Sequence, residues 1–116
     1  MKAIVIVEAI STALFYERDI LDRGFLPLVV YPHIEGSLDE GSSYEKVRDA
    51  CRKQLSDRTI EIPDDGNFEH LLTALAPYDI ACVVAGSEMG VVLADRLAQA
   101  LGLPGNPPAC FTRTRT

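Results

Sequence analysis

The C-terminal third of the chain constrains the fold most, because a strand, a turn and a helix follow one another there without interruption. Residues 80–85 are apolar and rich in valine, which is typical of a buried strand. A turn over residues 86–90 follows, and Gly102 and Pro104 end the next segment as a helix terminator would. Between these breaks, large apolar residues recur every four positions: Met89, Leu93, Leu97 and Leu101. This succession indicates a strand-to-helix unit of an α/β fold.

The rest of the chain repeats this alternation. Residues 3–7 (AIVIV) are apolar on both faces, so we expect a central strand that is covered by helices on both sides. We predict strands over residues 3–7, 26–31, 58–62 and 80–85, and helices over residues 11–23, 44–55, 68–75 and 87–101. Parallel strands joined by helices have right-handed crossovers. The prediction is therefore an α/β, three-layer, Rossmann-like half-domain with a parallel four-stranded sheet in the order 3-2-1-4.

Helical periodicity also predicts which side chains are buried. The expected inward residues are Ile10, Leu14 and Leu21 in the first helix, and Val47, Cys51 and Leu55 in the second. Glu17 falls on the exposed side of the first helix. A row of small residues would let the last helix lie close to the sheet: Gly90, Ala94 and Ala98. Asp65 or Asn67 is expected to cap the third helix.

Composition restricts the class of protein. A chain of 116 residues with 47% hydrophobic residues suffices for one domain with an ordinary core. The net charge of −6 and the scattered basic residues argue against a nucleic-acid partner, and no apolar run approaches the roughly 18 residues of a membrane span. The three cysteines include no Cys-x-x-Cys pair, so neither a zinc site nor a disulfide scaffold is expected. We expect a cytoplasmic protein in which Cys82 is a small core residue.

The loops after the first and last strands are the predicted place of a ligand site. In such sheets, ligands bind beyond the carboxyl ends of the strands, where the strand order reverses. Here that point lies between loops 8–12 and 86–90, and the candidate substrate-binding residues are Gly86, Ser87, Glu88, Ser11 and Thr12. Each also has a structural interpretation, which is helix capping for the hydroxyl residues, turn geometry for the glycine and compensation of the helix dipole for Glu88. Glu8 is interpreted as a solvated loop acid.

The chemistry of these loops is limited by the motifs that the sequence lacks. Neither a Gly-x-Gly-x-x-Gly nor a Gly-Lys-Ser/Thr phosphate loop is present, so no nucleotide cofactor is predicted for this chain. The helix after Gly86 could hold an anion at its N-terminus, but the Glu88 carboxylate would repel phosphate and attract an ammonium group. The histidines, His33 and His70, show no Cys–His, Ser–His–Asp or metal-ligand spacing, and His70 is expected to be exposed. We predict no catalytic and no metal-binding residue.

Three short segments resemble one protein family. They are residues 11–13 (STA) after the first strand, residues 85–97 (AGSEMGVVLADRL) and residues 101–106 (LGLPGN). The chain resembles the N-terminal, pre-ATP-grasp domain of the ATP-grasp carboxylate–amine ligases, a group that includes biotin carboxylase-like and L-amino-acid ligase-like proteins. The resemblance spans residues 2–108, and it is specific at the last motif and loose between Pro32 and Asp79. Ala13 stands where the family has a glycine.

The resemblance implies a function and a place for the candidate residues. In the family, ATP activates a carboxylate as an acyl phosphate, an amine attacks it, and the N-terminal domain helps to wall the acceptor-substrate side. This puts Gly86, Ser87 and Glu88 on the substrate side, with Glu88 meeting the amine. No cofactor is expected in this chain, and Mg-ATP is expected only for a full-length relative, which binds it in other domains.

The resemblance also divides the chain, and it leaves alternatives open. Residues 1–108 are expected to form the pre-ATP-grasp-like domain and residues 109–116 an irregular tail, which a truncation or a shifted reading frame would explain. By itself the chain is then expected to be inactive. One alternative is a free-standing binding or regulatory module for a small amino-acid-like ligand. The other is a vestigial protein whose homodimer covers the surface that neighbouring domains cover in a full ligase.

Overall fold

The computed structural model describes residues 2–10, 13–32, 43–86 and 90–103. Within these ranges the elements are β1 (Lys2–Val7), α1 (Ala13–Asp22), β2 (Leu26–Val30), α2 (Ser43–Arg52), β3 (Ile60–Glu61), α3 (Phe68–Leu75), β4 (Asp79–Ala85) and α4 (Val91–Leu101). The strands form one parallel sheet in the order β3-β2-β1-β4, so the predicted α/β fold and strand order are confirmed. In these same ranges, no helix combines the length and the apolar character that crossing a membrane requires. The predicted tail over residues 109–116 lies outside the described residues.

β1 is the central strand because its side chains are apolar on both faces of the sheet. It pairs with β2 on one side and with β4 on the other. Val5 and Val7 are buried on one face, and Ile4 and Ile6 are buried on the other. Cys82 in β4, the register partner of Ile4, is buried on this second face, as predicted. A strand that is enclosed in this way needs a continuous apolar sequence.

α3 and α4 cover the face of the sheet that carries Val5 and Val7. The buried residues of these helices are Leu71 and Leu75 in α3, and Ala94, Leu97 and Ala98 in α4. The predicted row of small residues therefore faces the sheet and lets the α4 backbone approach it. The helix ends also form as predicted: the Asn67 side chain accepts a hydrogen bond from the His70 N–H at 3.2 Å, and Gly102 ends α4 in the left-handed conformation with φ 68°.

α1 covers the opposite face, where one prediction of exposure is wrong. Ile20 is the fully buried residue of α1. The residues predicted to point inward are only partly buried: Ile10, Leu14 and Leu21. Glu17, expected on the exposed side, is buried, and its carboxylate accepts hydrogen bonds from the Ser56 N–H at 2.9 Å and from the Thr59 hydroxyl. These donors offset the loss of hydration, which would otherwise be strongly destabilising. Glu17 thereby fastens the turn before β3 to α1.

α2 and β3 are both shorter than predicted. α2 ends at Arg52, so Leu55 lies in the turn that follows and is partly buried. The predicted inward face of α2 is right for Cys51, which is buried, and wrong for Val47, which is 46% exposed. The physical reason is the short edge strand: β3 spans only Ile60–Glu61, so the sheet extends little beyond β2 and leaves Val47 uncovered.

Candidate functional site

The carboxyl ends of β1, β2 and β4 lie side by side, which brings the following loops together. Val7 is in register with Val30 on one side and with Ala85 on the other. The Gly86 N–H extends this pairing by donating a hydrogen bond to the Val7 carbonyl at 2.7 Å. The loops that begin at Glu8 and Gly86 therefore start next to each other, at the carboxyl ends of the strands, where we predicted the site.

Of the five predicted site residues, the structure describes Gly86, which is half-buried directly after β4. The others lie outside the described residues, and their roles stay predictions: Ser11, Thr12, Ser87 and Glu88. The capping interpretation of Ser87 also stays a prediction. The N-cap residue of α4 is Gly90, which makes no side-chain hydrogen bond, so α4 begins later than the predicted residue 87. The N-terminus of α4 lies close to Glu8.

Glu8, the first residue after β1, is fully buried, so its interpretation as a solvated loop acid is wrong. Its φ of 68° lies in the left-handed region, which residues with a Cβ rarely adopt. The Glu8 N–H donates to the Val30 carbonyl at 2.7 Å, and the Glu8 carbonyl accepts a bond from the Ile10 N–H at 3.0 Å. Backbone strain of this kind costs about 1–3 kcal/mol and is concentrated at functional sites.

The Glu8 carboxylate forms a bidentate ion pair with Arg48 of α2. Arg48 Nε donates to Glu8 Oε1 at 3.0 Å, and Arg48 Nη2 donates to Glu8 Oε2 at 2.7 Å. Arg48 Nη2 also donates to the Pro32 carbonyl at 2.7 Å. The Arg48 side chain is only 12% exposed, so both charges have lost most of their hydration. One guanidinium thus joins the ends of β1 and β2 to α2, which fixes the path of the loop after β1.

Tyr31 completes the polar cluster at this edge. Its hydroxyl donates a hydrogen bond to the Ala9 carbonyl at 3.0 Å. Its ring packs against two guanidinium groups, with the Cζ atoms of Arg48 and Arg52 at 5.5 and 4.7 Å from the ring centroid. Burial raises the pKa of Tyr31 well above its usual range, although the Arg52 charge acts in the opposite direction. Tyr31 is therefore a neutral hydrogen-bond donor at ordinary pH, and it holds the backbone at Ala9.

Glycine is required at position 90 because the N-terminus of α4 lies very close to the carboxyl end of β1. A Cβ at this position would lie 2.5 Å from the Val7 carbonyl oxygen and 3.1 Å from the Glu8 Cβ. Any other residue would force the two backbones apart, so the second glycine of the 86–90 turn is explained by close approach. The Val7 carbonyl thus accepts a hydrogen bond from Gly86 and lies close to Gly90.

Sequence reasoning missed the Glu8–Arg48 pair and Tyr31. The partners of the ion pair are 40 positions apart in the chain, and neither a motif nor a spacing links them. The usable signal was the position of Glu8 directly after an uninterrupted apolar strand. The end of a central strand is enclosed by its neighbours, so a charged residue there requires a partner.

A second polar pair, at the N-terminus of α3, is largely exposed. His70 Nδ1 lies 2.9 Å from an Asp65 carboxylate oxygen. This hydrogen bond, followed by one from the Asn67 N–H, lowers the pKa of Asp65. His70 is exposed, as predicted, and His33 lies outside the described residues. In the part of the chain that the structure describes, no group of three or more His, Cys, Asp or Glu side chains could hold a metal ion.

Comparison with known proteins gives a partial likeness to one enzyme. Dapdiamide A synthase from Enterobacter agglomerans is 54% identical over 48 residues, which are 41% of this chain and 11% of that protein. The matched part therefore covers a small share of its relative's length. No family model and no solved structure matches the chain. The likeness supports a relation to the ligases at this coarse level.

Proposed function

We propose that this chain provides the substrate-side N-terminal domain of an ATP-dependent carboxylate–amine ligase of the ATP-grasp type, whose ATP-binding domains lie outside these 116 residues. The observation that carries the proposal is the position of the strand-to-helix motif. Residues 85–97 start at the carboxyl end of β4, and the absence of a side chain at Gly90 lets the beginning of α4 lie close to Glu8. The strand order and the partial likeness to dapdiamide A synthase support the same function.

In the proposed site, Glu88 meets the ammonium group of the acceptor substrate. A carboxylate near a helix N-terminus is stabilised by the helix dipole, and it attracts a cation and repels phosphate. The remaining wall is formed by Gly86, Ser87, Ser11 and Thr12. Arg48 is engaged with the buried Glu8 carboxylate, so its proposed role is to position the loop after β1 and not to bind an anion.

We propose no Mg-ATP site in this chain. The described residues contain no group of carboxylate, thiol or imidazole side chains that could hold a metal, and the sequence has no glycine-rich phosphate loop. We therefore assign no step of phosphate chemistry to this chain. Its proposed part is to bind and orient the acceptor and to shield one side of it from water.

A binding experiment with the 116-residue chain tests the substrate-side role. Amide NMR spectra would be recorded during titration with free amino acids and with their N-acetyl derivatives, which lack the ammonium group. We expect saturable shifts in the loops at residues 8–12 and 86–90 with the free amino acids only. Glu88→Gln should weaken this binding about tenfold, since a hydrogen bond to a charged group contributes about 1.5–3 kcal/mol. Equal shifts with the acetylated compounds would contradict the role of Glu88.

A chimera tests the ligase assignment itself. The part of dapdiamide A synthase that corresponds to this chain would be replaced by residues 1–108, and ADP release would be measured with Mg-ATP and amino acids. Amino-acid-dependent ADP release that Glu88→Gln reduces would support the proposal. A folded chimera without such release, together with saturable amino-acid binding by the chain alone, would favour the free-standing binding module.

A second candidate function, self-association, is favoured by one observation. Val91 and Val92, in the first turn of α4 beside the candidate site, are 44% and 71% exposed. Sedimentation velocity over a range of concentrations would detect a dimer that covers this edge, and Val92→Ser should abolish it. Phe15→Ser is the matched control, because Phe15 is 70% exposed on α1, across the sheet from α4. A monomer at all concentrations would exclude this candidate.

A further inference from the structure

A groove with both polar and apolar lining residues lies at the amino-terminal ends of the strands. The candidate site lies at the opposite, carboxyl-terminal ends. The groove lies between the C-terminal half of α1, the start of β2 and the turn before β3. Two adjoining cavities of about 350 and 250 Å³ form it, and they share Leu21 and Arg58. We refer to these two cavities together as the Arg58 groove.

The smaller cavity is apolar apart from Arg58. Its other lining residues are Leu21, Gly24, Phe25 and Leu26. An apolar cavity of about 150 Å³ is large enough to bind benzene. The 250 Å³ at this position therefore suits an aromatic ring with a short side chain.

The charges in the groove favour a single anionic group. The Arg58 guanidinium has no hydrogen-bond or ion-pair partner among the described residues, whereas Arg23 and Arg52 are each paired with carboxylates. The larger cavity is lined by two carboxylates, Glu17 and Asp22, and by a second arginine, Arg18. The two carboxylates would repel a multiply charged anion, so one carboxylate group at Arg58 is the best match.

The groove is built on a buried hydrogen-bond system. Glu17 holds the turn before β3 through the Ser56 N–H and the Thr59 hydroxyl. The Arg58 N–H donates to Ser56 Oγ at 3.2 Å within the same turn. Because this turn is fixed to α1, Arg58 stays beside the apolar cavity, and its charge is available at the mouth of that cavity.

We propose that the Arg58 groove binds a small organic carboxylate with an aromatic or branched apolar body. The apolar body fills the cavity between Leu21 and Phe25, and the carboxylate pairs with the Arg58 guanidinium. This site is separate from the substrate-side crevice, and it does not depend on the proposed ligase function.

Amide NMR titration of the 116-residue chain tests this proposal with three probes. These are 3-phenylpropionate, its neutral amide, and acetate, which lacks the apolar body. We expect saturable shifts at Leu21, Gly24, Phe25 and Arg58 with 3-phenylpropionate alone, with a dissociation constant on the order of 1 mM. Arg58→Gln should raise this constant about tenfold. Arg96→Gln is the control with the same loss of charge, because Arg96 packs over Phe68 on the other side of the sheet.

Several results would overturn the proposal. They are the absence of saturable shifts at these amides, equal affinity for the neutral amide, and unchanged affinity in a folded Arg58→Gln variant. Shifts confined to residues 8–12 and 86–90 would also overturn it, because they would assign the binding to the substrate-side crevice. Failure of the ligase chimera would leave this test unaffected.

Discussion

Two buried carboxylates, Glu8 and Glu17, hold loops in place at opposite ends of the strands, and they do so in different ways. Glu8 is neutralised by a bidentate ion pair with Arg48 on a strained backbone. Glu17 is held by an amide N–H and a hydroxyl group, which carry no charge. The difference decides which arginines can bind a ligand. Arg48 is engaged inside the protein, whereas the guanidinium of Arg58, in the turn that Glu17 holds, has no hydrogen-bond or ion-pair partner among the described residues.

The two ends of the sheet also differ in how closely a helix approaches the strands. At the carboxyl ends of the strands, α4 approaches β1 so closely that only glycine fits at position 90. Among the described residues, the cationic side chain beside the Glu8 carboxylate comes from α2, as Arg48, and not from α4. At the amino ends of the strands, the turn before β3 lines an open groove. Hydrogen bonds from this turn are sufficient to stabilise the buried Glu17 carboxylate.

The largest expected effect is that of removing the cation from Glu8. Arg48→Met would leave a buried carboxylate without its partner, and we expect the free energy of unfolding to fall by about 3–5 kcal/mol. Urea denaturation monitored by circular dichroism measures this change. In the double variant Glu8→Gln with Arg48→Met, part of the loss should be recovered because no buried charge remains. A loss below about 1 kcal/mol in Arg48→Met would mean that the pair resembles an exposed ion pair.

The next largest effect is expected from Gly90→Ala. The added Cβ would meet the Val7 carbonyl oxygen at 2.5 Å, and relief of this overlap should cost about 3 kcal/mol. Gly24→Ala is the matched control, since Gly24 has φ 83° but nothing within 4 Å of an added Cβ. Its cost should be backbone strain alone, about 1 kcal/mol. Equal losses in the two variants, measured by urea denaturation, would show that close approach does not restrict position 90.

Removal of the acceptor at Glu17 should have an intermediate effect. Glu17→Ala leaves the Ser56 N–H and the Thr59 hydroxyl without their acceptor, and we expect a loss of about 2 kcal/mol. Faster hydrogen exchange of the Ser56 amide would locate the change in the turn. Glu17→Gln retains a carbonyl acceptor and should lose less than Glu8→Gln, which deprives Arg48 of its counter-charge. The reverse order would contradict the distinction between the two carboxylates.

The smallest expected effect is that of Tyr31→Phe, about 1 kcal/mol at pH 7, because one buried hydrogen bond to Ala9 is lost. The pKa of Tyr31 is raised in the folded state. Its contribution to stability is therefore present below the unfolded pKa of about 10 and is lost as the pH rises towards the folded value. Urea denaturation at pH 8 and pH 11 should show a smaller decrease in Tyr31→Phe than in the wild type. An equal decrease would mean that Tyr31 ionises as easily in the folded state as in the unfolded chain.

The strand order could be predicted from local patterns because β1 is apolar on both faces and the chain alternates strand and helix. The ends of α3 and α4 could be predicted for the same reason, since Asn67 and Gly102 act on the turn beside them. The exposure of Val47 could not, because it depends on how far the sheet extends beyond β2. The burial of Glu17 could not be predicted either, since its donors, Ser56 and Thr59, are remote in the chain.

The sequence by itself determined the layers of this protein and the place of β1 at the centre of the sheet. It also determined that the loops after β1 and β4 begin at the same end of the sheet. Periodicity and helix-end residues carry that information locally. Only the tertiary structure decided that Glu8 is buried, that Arg48 neutralises it and that Gly90 touches the end of β1. These contacts join residues from different elements, and charge compensation and steric fit arise only when those elements are packed together.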